Sequence, residues 1–354
     1  MDSMDVAVVG LGLAGAASAR ALSRRGRSVT VFEAFAPGHR NGSSHGSARI
    51  FRRGYLDPFY IELTGRARTL WHQVEAESGE RLLTVTGGLD HGSAREPARL
   101  VELLREHGVA AELWTAGEAA AHRPGVVFDG PVVFDPECGV LDPERTIAAL
   151  LALSGARVHY ETPVRRLEPD GHGVLLHTDE GVRHARTVVV AAGGWTVPLL
   201  PDLAGLLPLT VGQQQAFYFR PGPGRPWPTL VHDSDDGDLI YALPEGPLMK
   251  IGEHSPGTPT TAEARDFVVD PAARERVTAY VARWLPGLDP VPAGETSCLY
   301  TWVREEDFVI DRSGDIIVCS ACSGHGAKFT PLLGELVADL ADGGPPLPRF
   351  AFRS

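Results

Sequence analysis

Hydrophobic and polar positions along the chain switch between the strand period and the helix period from the first residues onward. Residues 5–9 are a short β-branched run and are followed by a glycine-rich turn. Ala14, Ala17 and Ala21 then fall on one helical face, small enough to pack on a sheet, and residues 28–33 read as a second strand. The chain therefore opens as strand, helix, strand. Residues 59–78 carry Leu63, Leu70, Trp71 and Val74 at helical spacing, and 82–89 read as a strand. Residues 96–107 and 115–121 read as short surface helices and 126–138 as strands. A helix resumes over 139–154, with Asp142 as N-cap and Pro143 at the first helical position.

Farther on, 157–167 and 173–178 read as strands of a small meander. Residues 187–195 read as a buried parallel strand that ends in Ala192-Gly193-Gly194. Strands are expected at 213–219, 237–243, 247–254, 307–311 and 316–321, and an amphipathic helix at 271–284. The last helix enters at Thr330 and Pro331, with Leu332, Leu333, Leu336, Val337 and Leu340 on one face.

Composition narrows this to a class. The chain has 354 residues, 43% hydrophobic and 22% charged with 40 glycines, enough to bury a large core in two interwoven α/β domains. A net charge of -12 repels phosphate backbones and argues against nucleic acid, so an anionic substrate must be gathered by local cations inside a pocket. The first apolar run has no basic segment before it and is broken by glycines, so neither a signal peptide nor a membrane span is expected, and the expected location is cytoplasmic. Cys138, Cys298, Cys319 and Cys322 form no secreted-type disulfide framework. The Cys319-x-x-Cys322 pair lacks a second ligand pair, so no metal is expected.

Gly10, Gly12 and Gly15 stand at the G-x-G-x-x-G spacing between the first strand and its helix. The first permits the tight turn, the second lets the backbone approach a pyrophosphate at the helix N-terminus, and Glu33 at the end of the next strand can accept from a ribose. These residues alone leave open which dinucleotide is held. Arg49, Arg52 and Arg53 follow in a loop. They read either as a solvated basic patch or, near the carboxyl edge of the sheet, as partners for a carboxylate or a flavin oxygen. By itself Cys298 reads as a buried structural thiol and Lys250 as an edge lysine among apolar neighbours.

Further motifs carry a resemblance. They are residues 41–52 (Asn-Gly-Ser-Ser-His-Gly-Ser-Ala-Arg-Ile-Phe-Arg), Tyr241 followed by 249–254 (Met-Lys-Ile-Gly-Glu-His), Cys298-Leu299-Tyr300-Thr301, and Ser323-Gly324-His325-Gly326-Ala327-Lys328-Phe329. With the glycine turn they span nearly the whole chain, which resembles the family of monomeric sarcosine oxidase and N-methyltryptophan oxidase within the D-amino-acid-oxidase-like flavoproteins. The resemblance implies a D-amino-acid-oxidase-like α/β (α+β) fold. A Rossmann-type FAD-binding domain (1–85, 139–205, 296–354) would be interwoven with a mixed-sheet substrate domain (86–138, 206–295). It implies FAD tethered through a thioether from Cys298, with Gly10, Gly12, Gly15, Glu33, Ser43, His45, Arg49, Val164, Gly193, Gly324, Gly326 and Lys328 around the cofactor.

Catalytic roles follow from the same resemblance. Lys250 would lie over the flavin and stabilise superoxide, Arg49 would lie on the other side of the ring, and His45 would order that loop. Arg52 and Lys328 would pair with a substrate carboxylate, while Tyr241, His254 and Tyr300 line the amine side. The implied reaction takes a carboxylate-bearing secondary or cyclic amine, of N-methyl amino acid or imino acid type, to an imine and reduces O2 to H2O2. A monomer from a high-GC bacterium is expected. Rival readings are a flavin monooxygenase, which would consume a reduced nicotinamide, and an oxygen-inert FAD dehydrogenase. Gln213 to Gln215, a shortened loop between Tyr241 and Lys250, and His232 in place of an apolar pocket residue depart from the family and bear on pocket size.

Overall fold

The apolar run of the first strand is buried on both faces, Val6, Ala7 and Val8 completely, so it must lie inside a sheet covered on both sides. A computed structural model describes residues 3–353 other than 225, 235, 236, 238 and 304, and shows that arrangement. In chain order the elements that position the site are β1 (Met4–Val9), α1 (Leu13–Arg24), β2 (Val29–Phe32), β3 (Arg49–Phe51), α2 (Pro58–Ser78), β4 (Gly181–Val190) and β5 (Thr210–Phe219). After them come β6 (Leu239–Glu245), β7 (Leu248–Glu253), β8 (Gly294–Trp302), β9 (Ile316–Ser320) and α3 (Thr330–Ala341).

β1 runs parallel to β2 and to β4, with Val8 opposite Val31 and Val189, and β4 runs parallel to β9, with Val189 opposite Ile317. These four strands form the centre of an eight-stranded sheet. Because they point the same way, the glycine turns after β1, β4 and β9 emerge together at one carboxyl edge, where open α/β sheets bind ligands. α1 packs against α3 so closely that a Cβ on Gly334 would lie 2.3 Å from the Ala17 carbonyl oxygen. Small residues on both helices make that approach possible.

A nine-stranded, mostly antiparallel sheet faces this edge and contains β5, β6, β7 and β8. β8 pairs along its length with β5, placing Cys298 opposite Gln214. The helix Pro271–Trp284 covers the sheet's far face with Val277, Tyr280, Val281 and Trp284.

Several sequence expectations are corrected. The strand expected over 82–89 is two strands in different sheets, Leu83–Val85 and Gly88–His91, because Gly87 turns the chain with φ of 71°. The loop expected at 47–55 contains β3, which pairs with Gly139–Leu141, so the helix expected from 139 begins only at Pro143. Asp142 caps it as expected, accepting from the Arg145 amide at 2.9 Å. Arg157–His159 is not part of the meander but pairs with β2. Of 126–138 only Val132–Asp135 is extended as a strand, and Thr229–Asp233 is a strand the pattern did not announce. The strand expected at 237–243 runs over Leu239–Glu245, and Asp238 lies outside the described residues. Among the described residues no helix is long and apolar enough to cross a membrane.

Candidate active site

Between the sheet edge and the nine-stranded sheet lies a continuous cavity of about 1210 Å³. It runs from Gly10, Gly12 and Glu33 past Ser43, His45, Arg49, Val164 and Gly193 to Arg52, Tyr241, Lys250, His254, Cys298, Tyr300, Gly324, Gly326 and Lys328. Every residue that the resemblance assigned to the cofactor or the substrate lines it except Gly15. That glycine sits beneath the turn, where a Cβ would be 2.0 Å from the Gly10 carbonyl oxygen, and so lets the helix approach the strand.

At the nucleotide end, Gly10 adopts φ of 99°, and a Cβ there would strike the Ala191 carbonyl oxygen at 2.6 Å. No side chain at Gly12 caps the N-terminus of α1, which faces the cavity and suits an anion. Glu33 accepts from the amides of Leu11 at 2.7 Å and Phe35 at 3.0 Å, one per oxygen, so it is held in place with lone pairs to spare. Ser44, which sequence reading passed over, accepts from the Leu13 amide at 3.1 Å and closes over Gly12.

In the 41–52 segment, Arg49 donates to the carbonyls of Ser43 at 2.6 Å, His45 at 2.9 Å and Ala48 at 2.8 Å, binding the loop to itself. Burial and the nearby cation Arg49 push His45 down to about 3. Its Nε2 is buried on the cavity wall without a hydrogen-bond partner, an orphan that a bound group would satisfy. Arg53 turns away to Glu137 at 3.6 Å, so the three arginines do not act as one patch. Ser43 donates to the Leu299 carbonyl, tying this loop to the strand of Cys298. Burial raises the Cys298 thiol above its ordinary value, while Arg49 and Lys250 act against it.

At the other end Lys328 is 1% exposed, and Trp71 from α2 donates to its carbonyl at 2.8 Å. Its Nζ donates to Tyr55 Oη at 3.0 Å and to the His325 carbonyl at 2.8 Å. Tyr55 Oη is 2.9 Å from His325 Nδ1, and His325 Nε2 is 2.7 Å from the Glu306 carbonyl. The carbonyl fixes the tautomer: Nε2 carries hydrogen, Nδ1 accepts from Tyr55, and the Tyr55 oxygen accepts from Lys328. Arg52 donates to the Gly54 carbonyl and lies 4.6 Å from the Tyr55 ring centroid. Burial and Arg52 push Lys328 well below its usual value. Among the described residues neither cation forms an ion pair with a carboxylate. The amides of His325 and Gly326 both donate to the Cys322 carbonyl. Gly324 is required because a Cβ would lie 2.6 Å from both His254 and Tyr300.

His232 and Gln213 to Gln215 do not bear on pocket size, because none of them lines the cavity. His232 faces the opposite side of its sheet, stacking on His91 at 3.9 Å and bonding Asp129 and Tyr280. The two ring planes lie within 16° and each ring meets a different Asp129 oxygen, so their lone pairs do not converge on one metal.

His45, His91 and His325 are all held neutral chiefly by burial, below the value near 6.5 of an exposed histidine. The unfolded chain therefore takes up protons first as pH falls. Stability is greatest above about pH 6.5 and declines below it, by about 1.4 kcal/mol per pH unit for each such group. Denaturant titrations at stepwise lower pH should show this decline, and His91→Asn should remove one proton's share of it. An unchanged slope in that variant would mean that His91 titrates normally in the fold.

Comparisons with known proteins agree with this geometry. The model of the FAD dependent oxidoreductase (DAO) family matches residues 5–340. Monomeric sarcosine oxidase of Streptomyces avermitilis is 33% identical over 95% of this chain and 93% of its own length. N-methyl-L-tryptophan oxidase of Salmonella heidelberg is 29% identical over 97% of this chain and 95% of its own. Among solved structures, the open form of NikD, an unusual amino acid oxidase essential for nikkomycin biosynthesis, superposes with a TM-score of 0.89 at 26% identity, covering 100% of this chain and 98% of that one. With a glycine turn, a helix N-terminus and an anchored acidic residue at one end of the same cavity, and a family match across almost its whole length, the chain belongs to the DAO family of FAD dependent oxidoreductases.

Proposed function

We propose that this protein is an amine oxidase that converts a carboxylate-bearing secondary or cyclic amine to an imine, with oxygen as the final acceptor and hydrogen peroxide as the second product. The observation that carries the reading is the pair of cations, Arg52 and the buried Lys328, that reach the cavity without a carboxylate partner among the described residues. Two such charges are costly unless a ligand's anionic group completes them, and a guanidinium fork beside an ammonium suits a carboxylate. The relatives named for oxidation of sarcosine and N-methyl-L-tryptophan support an amino-acid-like amine.

FAD, when bound, supplies the acceptor for a hydride equivalent from the carbon beside the nitrogen. The residues of the chain do the rest. The turn Gly10 to Gly15 and Glu33 would hold the ADP half. Arg52 and Lys328 fix the carboxylate, and Tyr241, His254 and Tyr300 bound the amine and exclude water. Lys250, 7% exposed, presents a positive charge where negative charge builds on oxygen. The domain division stays with this reading: a nucleotide unit of 1–85, 139–205 and 296–354 and a substrate unit of 86–138 and 206–295, with β8 as the seam. A monomer suits the relative named monomeric sarcosine oxidase, and a cytoplasmic location in a bacterium stays part of this reading.

A peroxide-coupled screen of sarcosine, N-methylated amino acids, proline, pipecolate and cyclic imines tests the reaction. Peroxide release with one of these amines is expected. NADPH consumption without substrate would point to a monooxygenase, and amine turnover without peroxide to a dehydrogenase. Cys298 tests the tether: acid precipitation should leave yellow colour with the wild-type protein and none with Cys298→Ser. Free flavin in the wild-type supernatant would rule the thioether out.

A further inference from the structure

The hairpin β6–β7 places an acid beside the lysine assigned to oxygen. Leu243 stands opposite Lys250, and because alternate strand residues share a face, Tyr241, Leu243, Glu245 and Lys250 all project to the same side. Glu245 lies alongside the lysine, with Oε2 3.3 Å from Nζ, and both side chains are largely buried, at 13% and 9% exposure. Its other oxygen accepts from the Ser47 amide at 3.1 Å and the Ser47 hydroxyl at 2.8 Å, so the carboxylate is fixed to the loop that carries Arg49. The ammonium's remaining contact is long, 3.4 Å to the Ala48 carbonyl.

The groups facing Lys250 are Arg49 from β3, His45 from the preceding loop, Tyr218 from β5, Tyr241 and Glu245 from β6, and Cys298 from β8. Arg49 repels the ammonium, His45 is neutral, the tyrosines keep their protons, and Cys298 carries no negative charge as a buried thiol or as a thioether. Among the described residues Glu245 is thus the one carboxylate that holds it. We propose that Glu245 is a positioning residue that keeps Lys250 protonated and aimed, and so sets the alkaline limit of the reaction with oxygen. This rests on the assignment of Lys250 to oxygen made above.

Burial, then Arg49, brings Lys250 down to about 8, and Glu245 acts against both. Removing the carboxylate's charge must lower it further. The test compares flavin-loaded wild type, Glu245→Gln, Glu245→Asp and Lys250→Met. Dithionite-reduced protein is reoxidised by oxygen across the neutral-to-alkaline range. In parallel, competitive acetylation with acetic anhydride, read by mass spectrometry, reports the protonation of Lys250 itself. Glu245→Gln should move the acetylation midpoint down by about one pH unit or more, with the reoxidation profile moving alongside it. Near pH 8 the rate then falls about five-fold, since a one-unit shift takes the lysine from half to about a tenth protonated. Glu245→Asp should restore part of the shift.

An unchanged acetylation midpoint in Glu245→Gln, even with lowered stability, overturns the proposal. A moved acetylation midpoint with a fixed reoxidation profile also overturns it. If Lys250→Met reoxidises at the wild-type rate, the assignment of Lys250 fails, and the acetylation midpoint still decides whether Glu245 holds the lysine's proton.

Discussion

Lys250→Met should slow reoxidation of the reduced flavoprotein by oxygen about a hundred-fold, while anaerobic reduction by substrate keeps its rate within a few-fold. Methionine preserves the length and apolar stem of the side chain, so the change removes charge more than shape. The charge is effective because it is nearly dry. Lys250 is 7% exposed, and water does not screen it from negative charge developing on oxygen. Loss of a hydride equivalent leaves positive charge on the amine, which an ammonium does not stabilise, so reduction by substrate depends less on Lys250. Stopped-flow measurement of the two half-reactions separates them, and equal slowing of both would assign Lys250 to packing or cofactor binding instead.

Arg52→Ala and Lys328→Ala should each weaken binding of carboxylate inhibitors by about 2 kcal/mol, near thirty-fold, because each strands a desolvated anion beside a single remaining cation. Spectral titration of the flavin with a carboxylate ligand measures this directly. Of the two, Lys328→Ala should also disturb its surroundings, since Tyr55 loses the donor that completes its chain to His325 and Glu306. Unchanged inhibition in both variants would move the substrate carboxylate elsewhere in the cavity and remove the observation on which the proposed reaction stands.

The most legible parts of this protein were those whose requirements are local. Gly10 must adopt a positive φ to make the turn after β1, and Asp142 and Pro143 must start a helix, whatever the rest of the chain does. Motif resemblance carried Lys250, Cys298 and Lys328 to one cavity because their neighbours in sequence form recognisable turns and strands. Resemblance gave no role to Tyr55, Ser44 or Glu245, whose importance lies in contacts with residues far along the chain or across a hairpin. His232 was misplaced for a simple reason: a strand residue faces one side or the other according to register, and the strand Thr229–Asp233 had not been recognised.

The sequence by itself determined the strand-turn-helix that opens the chain, the helices with strong caps, and the set of cations and aromatic residues available for a site. Short-range sterics and periodicity suffice for these. Only the tertiary structure decided that three glycine turns share one edge, that Arg49 and Arg52 enter the cavity while Arg53 leaves it, and that Glu245 stands against Lys250. Those facts depend on strand order, on register and on which charges lose their water together. A chain read one residue at a time does not contain them, because burial and pairing are properties of segments that meet only after folding.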